Sequence, residues 1–198
     1  MIDIPVFYAS HHGHTRRIAE FVASEIWQNG YVSKAVDIKS SRDLDMTRTK
    51  AAVVGASLLA GRYPRPLARF IQQHRRLLSR QPTGFFSVSM LAASEDPDIR
   101  MDAVKDIDLY LRDATWQPTL RASFAGALTY TQYSWPVRMM MRRLAQRSGD
   151  PTDISRDHVF TDWNVVREYA RTMVRATEAR TGESQKGRGD VGPMRSIR

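Results

Sequence analysis

Residues 4–20 read IPVFYASHHGHTRRIAE, and their interpretation decides the fold. Ile4-Pro5-Val6-Phe7-Tyr8-Ala9 is an apolar run of strand length with Pro5 near its start. Beyond Ser10-His11-His12-Gly13-His14-Thr15 the pattern turns helical. Ile18, Phe21, Val22 and Ile26 then share one face up to Asn29-Gly30, a C-terminal cap. A strand, a turn rich in hydroxyls and imidazoles, and a helix N-terminus follow one another without spacers. The functional question is what that turn holds.

The alternation continues along the chain. Tyr31 to Ile38 alternates as a second strand, and Ala51 to Ala56 is a third, continuous in apolar character as a strand covered on both faces should be. After Pro64-Arg65-Pro66, residues Leu67, Phe70, Ile71, His74 and Leu78 form a helical stripe. Thr83 to Ser89 reads as a fourth strand and Leu120 to Leu128 as a fifth. Between them Ile99, Ala103, Ile107, Tyr110 and Ala114 mark a helix opened by Asp96-Pro97-Asp98. Trp163, Val166, Ala170, Met173, Val174 and Thr177 form a closing helix behind Thr161-Asp162 as its cap. This pattern predicts an α/β fold: a doubly wound, five-stranded parallel sheet in the flavodoxin-like order 2-1-3-4-5, with a long insertion after or within strand 5. Residues 1–177 are expected to form one domain, with 129–160 as a basic amphipathic insertion and 178–198 as a disordered tail. The connection from Lys39 to Lys50 carries no helical stripe and is left open.

At 198 residues, 42% of them apolar and 26% charged, the chain is long enough for one full hydrophobic core. It has no cysteine, which excludes disulfides, thiolate metal sites and cysteine nucleophiles. Its longest nearly uncharged apolar run, Ala51 to Gly61, is far short of the roughly 20 residues of a membrane span. The start, Met1-Ile2-Asp3, lacks a basic n-region, so a cytoplasmic protein, soluble or peripheral, is expected. The net charge of +9 favours anionic partners, and from Ala114 through Gly149 there are arginines but no Asp or Glu. No nucleic-acid recognition motif accompanies that charge.

In a doubly wound sheet the loop after the first strand stands at the ligand crevice and leads into a helix N-terminus, a natural phosphate seat. Ser10, Gly13 and Thr15 suit that role, with Gly13 admitting close backbone approach. The nucleotide P-loop is absent, because no Gly-Lys-Ser or Gly-Lys-Thr follows, and so is the three-glycine dinucleotide pattern. A phosphomonoester held without a lysine is left. His11 and His12 are neighbours with no carboxylate close in sequence, so a metal site is not expected. The histidines read as backbone phosphate donors whose imidazoles face solvent or the phosphate.

The spacing Ser-x-x-Gly-x-Thr resembles the FMN-phosphate loop of flavodoxins. The ordered set FYASHHGHT (7–15), VVGASLLAGRY (53–63), FFSVSMLA (85–92), AGALTY (125–130) and FTDW (160–163) resembles the flavodoxin-like, menaquinone-dependent protoporphyrinogen oxidase (dehydrogenase) family of bacteria. The resemblance implies FMN as cofactor, held by Ser10, His11, His12, Gly13, His14 and Thr15. It implies a ring flanked by Ser57, Leu58, Leu59 and Tyr63 on one side and by Ser87, Val88, Ser89, Met90 and Leu91 on the other. Tyr63 is expected to stack on that ring. It further implies oxidation of protoporphyrinogen IX to protoporphyrin IX in heme biosynthesis, with menaquinone or ubiquinone as acceptor. An NAD(P)H-dependent quinone or nitro reductase and a flavodoxin-type electron carrier are the alternatives; +9 disfavours the carrier, since carriers that dock basic partners need acidic surfaces.

Within the insertion, Val137, Met140, Met141 and Leu144 share a helical face flanked by Arg138, Arg142 and Arg143, with Tyr130, Tyr133 and Trp135 ahead of it. Tyr130, Trp135, Arg138, Arg142 and Arg143 are therefore the candidate contacts to an anionic membrane surface or to a carboxylate-bearing substrate. Peripheral association with the inner face of the cell membrane is the expected location.

Overall fold

Burial of the first strand organises the molecule. The computed structural model describes residues 2–41, 46–128 and 157–186, with side chains through residue 182. Strand β1 (Ile4–Ala9) is flanked in parallel by β2 (Ser33–Asp37) and β3 (Ala52–Ser57), and β4 (Thr83–Ser89) and β5 (Leu120–Ala125) extend the sheet beyond β3. The order β2-β1-β3-β4-β5 is the one expected from the sequence.

Side chains alternate across each central strand, which explains the continuous apolar runs. Ile4, Val6, Val53, Phe86 and Val88 pack on one face beneath α1 (His14–Gln28) and α4 (Trp163–Lys186). Phe7, Ala9, Val54, Ala56 and Phe85 pack on the other beneath α2 (Arg65–Leu78) and α3 (Pro97–Asp113). Each fully buried large side chain stabilises the fold by about 1.5–3 kcal/mol. Helix α3 begins as the sequence predicts: the Asp96 carboxylate accepts the Asp98 N–H at 2.9 Å, with proline in the first turn.

Two segments differ from the sequence reading. Strand β5 stops at Ala125, and after Gly126 the chain forms β6 (Ala127–Leu128), paired antiparallel with β7 (His158–Val159). Two-residue strands carry no hydrophobic period, so the apolar run to Leu128 concealed this break. Residues 129–156, with the whole expected interfacial helix, lie outside the described residues. Helix α4 continues past Thr177 to Lys186, into the segment expected to be disordered; its last turns carry no apolar stripe to reveal them. The open connection after β2 begins with a short 3₁₀ turn, Ile38–Ser40.

Gly55 on β3 is opposite Phe86 on β4, whose ring crosses the glycine: a Cβ on Gly55 would lie 2.0 Å from the ring's Cζ. Phe86 is fully buried against Phe124 and Tyr169 and has no room to retreat. Gly55→Ala is expected to cost about 3 kcal/mol in urea unfolding by overpacking, whereas Gly61→Ala meets no neighbour and is strained only through its backbone φ of 70°.

Candidate functional site: a cleft at the carboxyl ends of β1, β3 and β4

The five strands of the main sheet are parallel, and their carboxyl ends lie at one edge. From β1 the chain goes outward to β2 and then crosses to β3, so the order reverses there and a crevice opens. The loop after β1 occupies it. Gly13 is the N-cap of α1 at φ 79°, a left-handed conformation that glycine adopts without steric cost, and its N–H donates to Ser10 Oγ at 3.0 Å. The first bond of the helix runs from Arg17 N–H to Gly13 carbonyl at 3.1 Å. The N–H groups of His14, Thr15 and Arg16 precede it and have no intrahelical acceptor. No side chain caps them, and the first turn carries no acid. Donors and a positive dipole end therefore converge without internal compensation.

The cleft beside this loop is lined by His11, His12, His14, Ser57, Leu58, Leu59, Val88, Ser89 and Met90, together with Gly126 and Ala127. Nine of the fifteen expected cofactor residues thus meet, while Ser10, Gly13, Thr15, Tyr63, Ser87 and Leu91 are outside this lining. His11 Nδ1 and Ser57 Oγ, 2.9 Å apart, tie the loop to the end of β3. Leu58 N–H donates to Val88 carbonyl at 2.8 Å, holding the β3 and β4 ends together. Leu59 and Arg62 exchange backbone hydrogen bonds at 3.1 and 3.0 Å across Ala60-Gly61, so the following segment is a closed turn. Leu91 is exposed in the 3₁₀ turn Leu91–Ala93, outside the cleft lining.

Tyr63, expected to stack on a ligand ring, spends its ring and hydroxyl elsewhere. Its hydroxyl donates to Ser87 Oγ at 3.0 Å, and its ring packs on Tyr110 at 4.4 Å and on Phe85. Burial pushes its phenol up to about 12, so it acts as a neutral donor. Tyr63 borders an adjoining cavity of about 410 Å³ that also touches Ser10, His11, Lys39, Arg62 and Arg65. Tyr130, Trp135, Arg138, Arg142 and Arg143 lie outside the described residues. A cavity of about 580 Å³ between α3 and the start of β5 lies at the opposite end of the sheet.

Sequence reasoning missed Gly126, Ala127 and Thr161. Of the expected cap Thr161-Asp162, Asp162 does that work, accepting N–H bonds from Asn164 at 2.9 Å and Val165 at 3.4 Å. The Thr161 hydroxyl instead donates to Ala125 carbonyl at 2.6 Å and is 2.7 Å from His14 Nε2. A link across 147 residues has no local sequence signal.

His14 is buried, and desolvation, aided by the charge on Arg17, holds its imidazole below the ordinary value of 6.5. Desolvation, aided by His11, does the same for His12. A depressed folded-state value means stability that is complete above the unfolded value and lost as pH falls beneath it. The ligand-free protein is therefore expected to melt at a lower temperature at about pH 5.5 than at about pH 7.5, and His14→Gln to show a smaller drop. Calorimetric melting at the two pH values checks this.

A model of the flavodoxin domain family matches residues 5–155. The protein of Escherichia coli (strain K12) named protoporphyrinogen IX dehydrogenase (quinone) is 29% identical over 179 residues, covering 89% of this chain and 97% of its own length. A protein of Leishmania major with the same name is 30% identical over 166 residues, covering 83% and 71%. Among solved structures, rubredoxin oxygen:oxidoreductase from Desulfovibrio gigas superposes at a TM-score of 0.53 and 15% identity. That match covers 89% of this chain but only 36% of the larger protein. A flavodoxin from the domain Archaea gives 0.51 at 14% identity, covering 88% of this chain and 98% of its own. These structural likenesses carry the fold alone. The strand order, the match over most of the chain and the two curated relatives place this chain in the flavodoxin domain family, among oxidoreductases named protoporphyrinogen IX dehydrogenase (quinone).

Proposed function

We propose that this protein uses FMN to oxidise protoporphyrinogen IX to protoporphyrin IX in heme biosynthesis, and that it passes the electrons to a membrane quinone, menaquinone or ubiquinone. The observation that carries the reading is the start of α1. Its first-turn N–H groups are uncapped, the turn is free of acid, and Ser10, Gly13 and Thr15 surround it without a lysine. That donor set fits a phosphomonoester. The relatives' names supply the substrate and acceptor classes.

In this reading residues 1–177 form one FMN-binding domain. The loop from Ser10 to Thr15 holds the phosphate. Ser57, Leu58 and Leu59 flank the ring on one side, and Val88, Ser89, Met90 and Leu91 on the other. Bound FMN supplies hydride acceptance and electron transfer; the chain binds, orients and excludes water. Tyr63 serves indirectly, fixing Ser87 beneath the cleft through its 3.0 Å bond. Leu58 and Val88, joined by their 2.8 Å backbone bond, give the cleft an apolar patch for the ring.

Purified protein should be yellow, with a flavin absorbance spectrum. Under anaerobic conditions, protoporphyrinogen with menadione should yield porphyrin fluorescence, while NADPH with menadione should turn over slowly. Rapid NADPH turnover without porphyrin would assign the cleft to a quinone reductase, and failure to retain any flavin after reconstitution would sink both readings.

No helix among the described residues is long and apolar enough to cross a membrane. Access to a bilayer quinone is therefore proposed through peripheral contact at the anionic inner face, made by the basic insertion. Exchanging Arg138, Arg142 and Arg143 for Gln should weaken binding to anionic liposomes by about 100-fold at low salt, from roughly 1 kcal/mol per arginine. Sedimentation with phosphatidylserine vesicles checks it.

A further inference from the structure

The backbone reading of the phosphate seat assigns no role there to the imidazoles of the three loop histidines, and the environment of His14 gives one of them a task. Thr161 has a single hydroxyl proton, and it goes to the Ala125 carbonyl at 2.6 Å. Toward His14, Thr161 Oγ1 can therefore only accept, so Nε2 of His14 carries the ring proton across their 2.7 Å contact. Nδ1 is left as a bare lone pair, buried and without a partner, on a side chain only 7% exposed. This ring lines the cleft from the first position of α1, beside the uncapped N–H groups. A buried acceptor without a donor is a cost to the ligand-free fold. An anion seat needs the opposite, a donor.

Charge points the same way. No lysine lies in the loop, and Arg16 is already paired with Glu20 at 2.8 Å. Arg17 on α1 is the cation that acts on His14, and it disfavours a proton there while no anion is present. His11 and His12 are the other titratable groups of the loop, and the Asp162 carboxylate beside Thr161 is turned to the N–H groups of α4.

We propose that His14 makes cofactor binding proton-linked: its neutral imidazole takes up one proton at Nδ1 when a phosphomonoester dianion occupies the loop, and the new N–H faces the phosphate. The Nε2 bond to Thr161 is unchanged, because that nitrogen donates in both states. The bonding change is protonation alone, with the proton drawn from solvent. The inference rests on the phosphomonoester reading of this loop. The sign follows from linkage. Binding raises the His14 value from its depressed position, so affinity is greatest at the lower pH. It weakens by up to about tenfold per pH unit until the bound-state value is passed.

Titration calorimetry of the flavin-free full chain tests this in phosphate-free HEPES and Tris at about pH 7.5, where the phosphate of FMN is already almost wholly dianionic. The expected result is an FMN binding enthalpy that differs between the buffers by about one proton taken up. The FMN Kd should rise by up to about tenfold from pH 7.5 to 8.5. Riboflavin, which lacks the phosphate, should show no uptake. His14→Gln should abolish the uptake, while His11→Gln and His12→Gln retain it. Uptake with riboflavin equal to that with FMN, buffer-independent FMN binding, or uptake that survives in His14→Gln would overturn the proposal. If His14→Gln does not fold, the comparison of FMN with riboflavin in the natural protein decides. Absence of any FMN binding would overturn the cofactor reading as well, whereas tight binding without proton uptake overturns this inference alone.

Discussion

Strand β1 has neither a free edge nor a free face. It is paired on both sides, by β2 and β3, and covered above and below by helices, with Ile4 and Val6 buried toward one layer and Phe7 and Ala9 toward the other. An apolar strand of this kind is stable only in the middle of a parallel sheet, where crossover helices supply both covers. Once the crossovers leave β1 in two directions, the strand ends part and a crevice forms at their carboxyl side. The ligand seat is a by-product of burying this strand.

Much of that logic is written locally. Period-two and period-3.6 patterns, Asn29-Gly30, Asp96-Pro97 and the buried runs of β3 and β4 each report their own element, and strand order follows from the alternation. Where the pattern is too short or too weak, the reading fails for a physical reason. The β6–β7 pair is two residues long, and the end of α4 has no apolar stripe.

The candidate site was legible wherever one loop carried it. His11, His12 and His14, Ser57 to Leu59 and Val88 to Met90 line one cleft because each follows a strand at the edge where ligands bind. Partnerships between distant loops were not legible. Nothing in the sequence ties His14 to Thr161 or His11 to Ser57, and no pattern says that Tyr63 prefers Ser87 and Tyr110 to a ligand. The turn through Ala60-Gly61 draws Tyr63 inward, and rotamer choice of that kind is settled by packing, not by residue type.

The two-stranded ribbon has a meaning for how this chain can diversify. Leu128 and His158 face each other across β6 and β7, and Phe160 N–H is bonded to Gly126 carbonyl at 3.1 Å, so everything between leaves and re-enters through one closed doorway. For a flexible loop held at both ends in this way, each doubling of length costs only about 0.6 kcal/mol. The ribbon is a two-stranded sheet of its own, so it fixes where such changes enter and leave without altering the pairing of the five central strands.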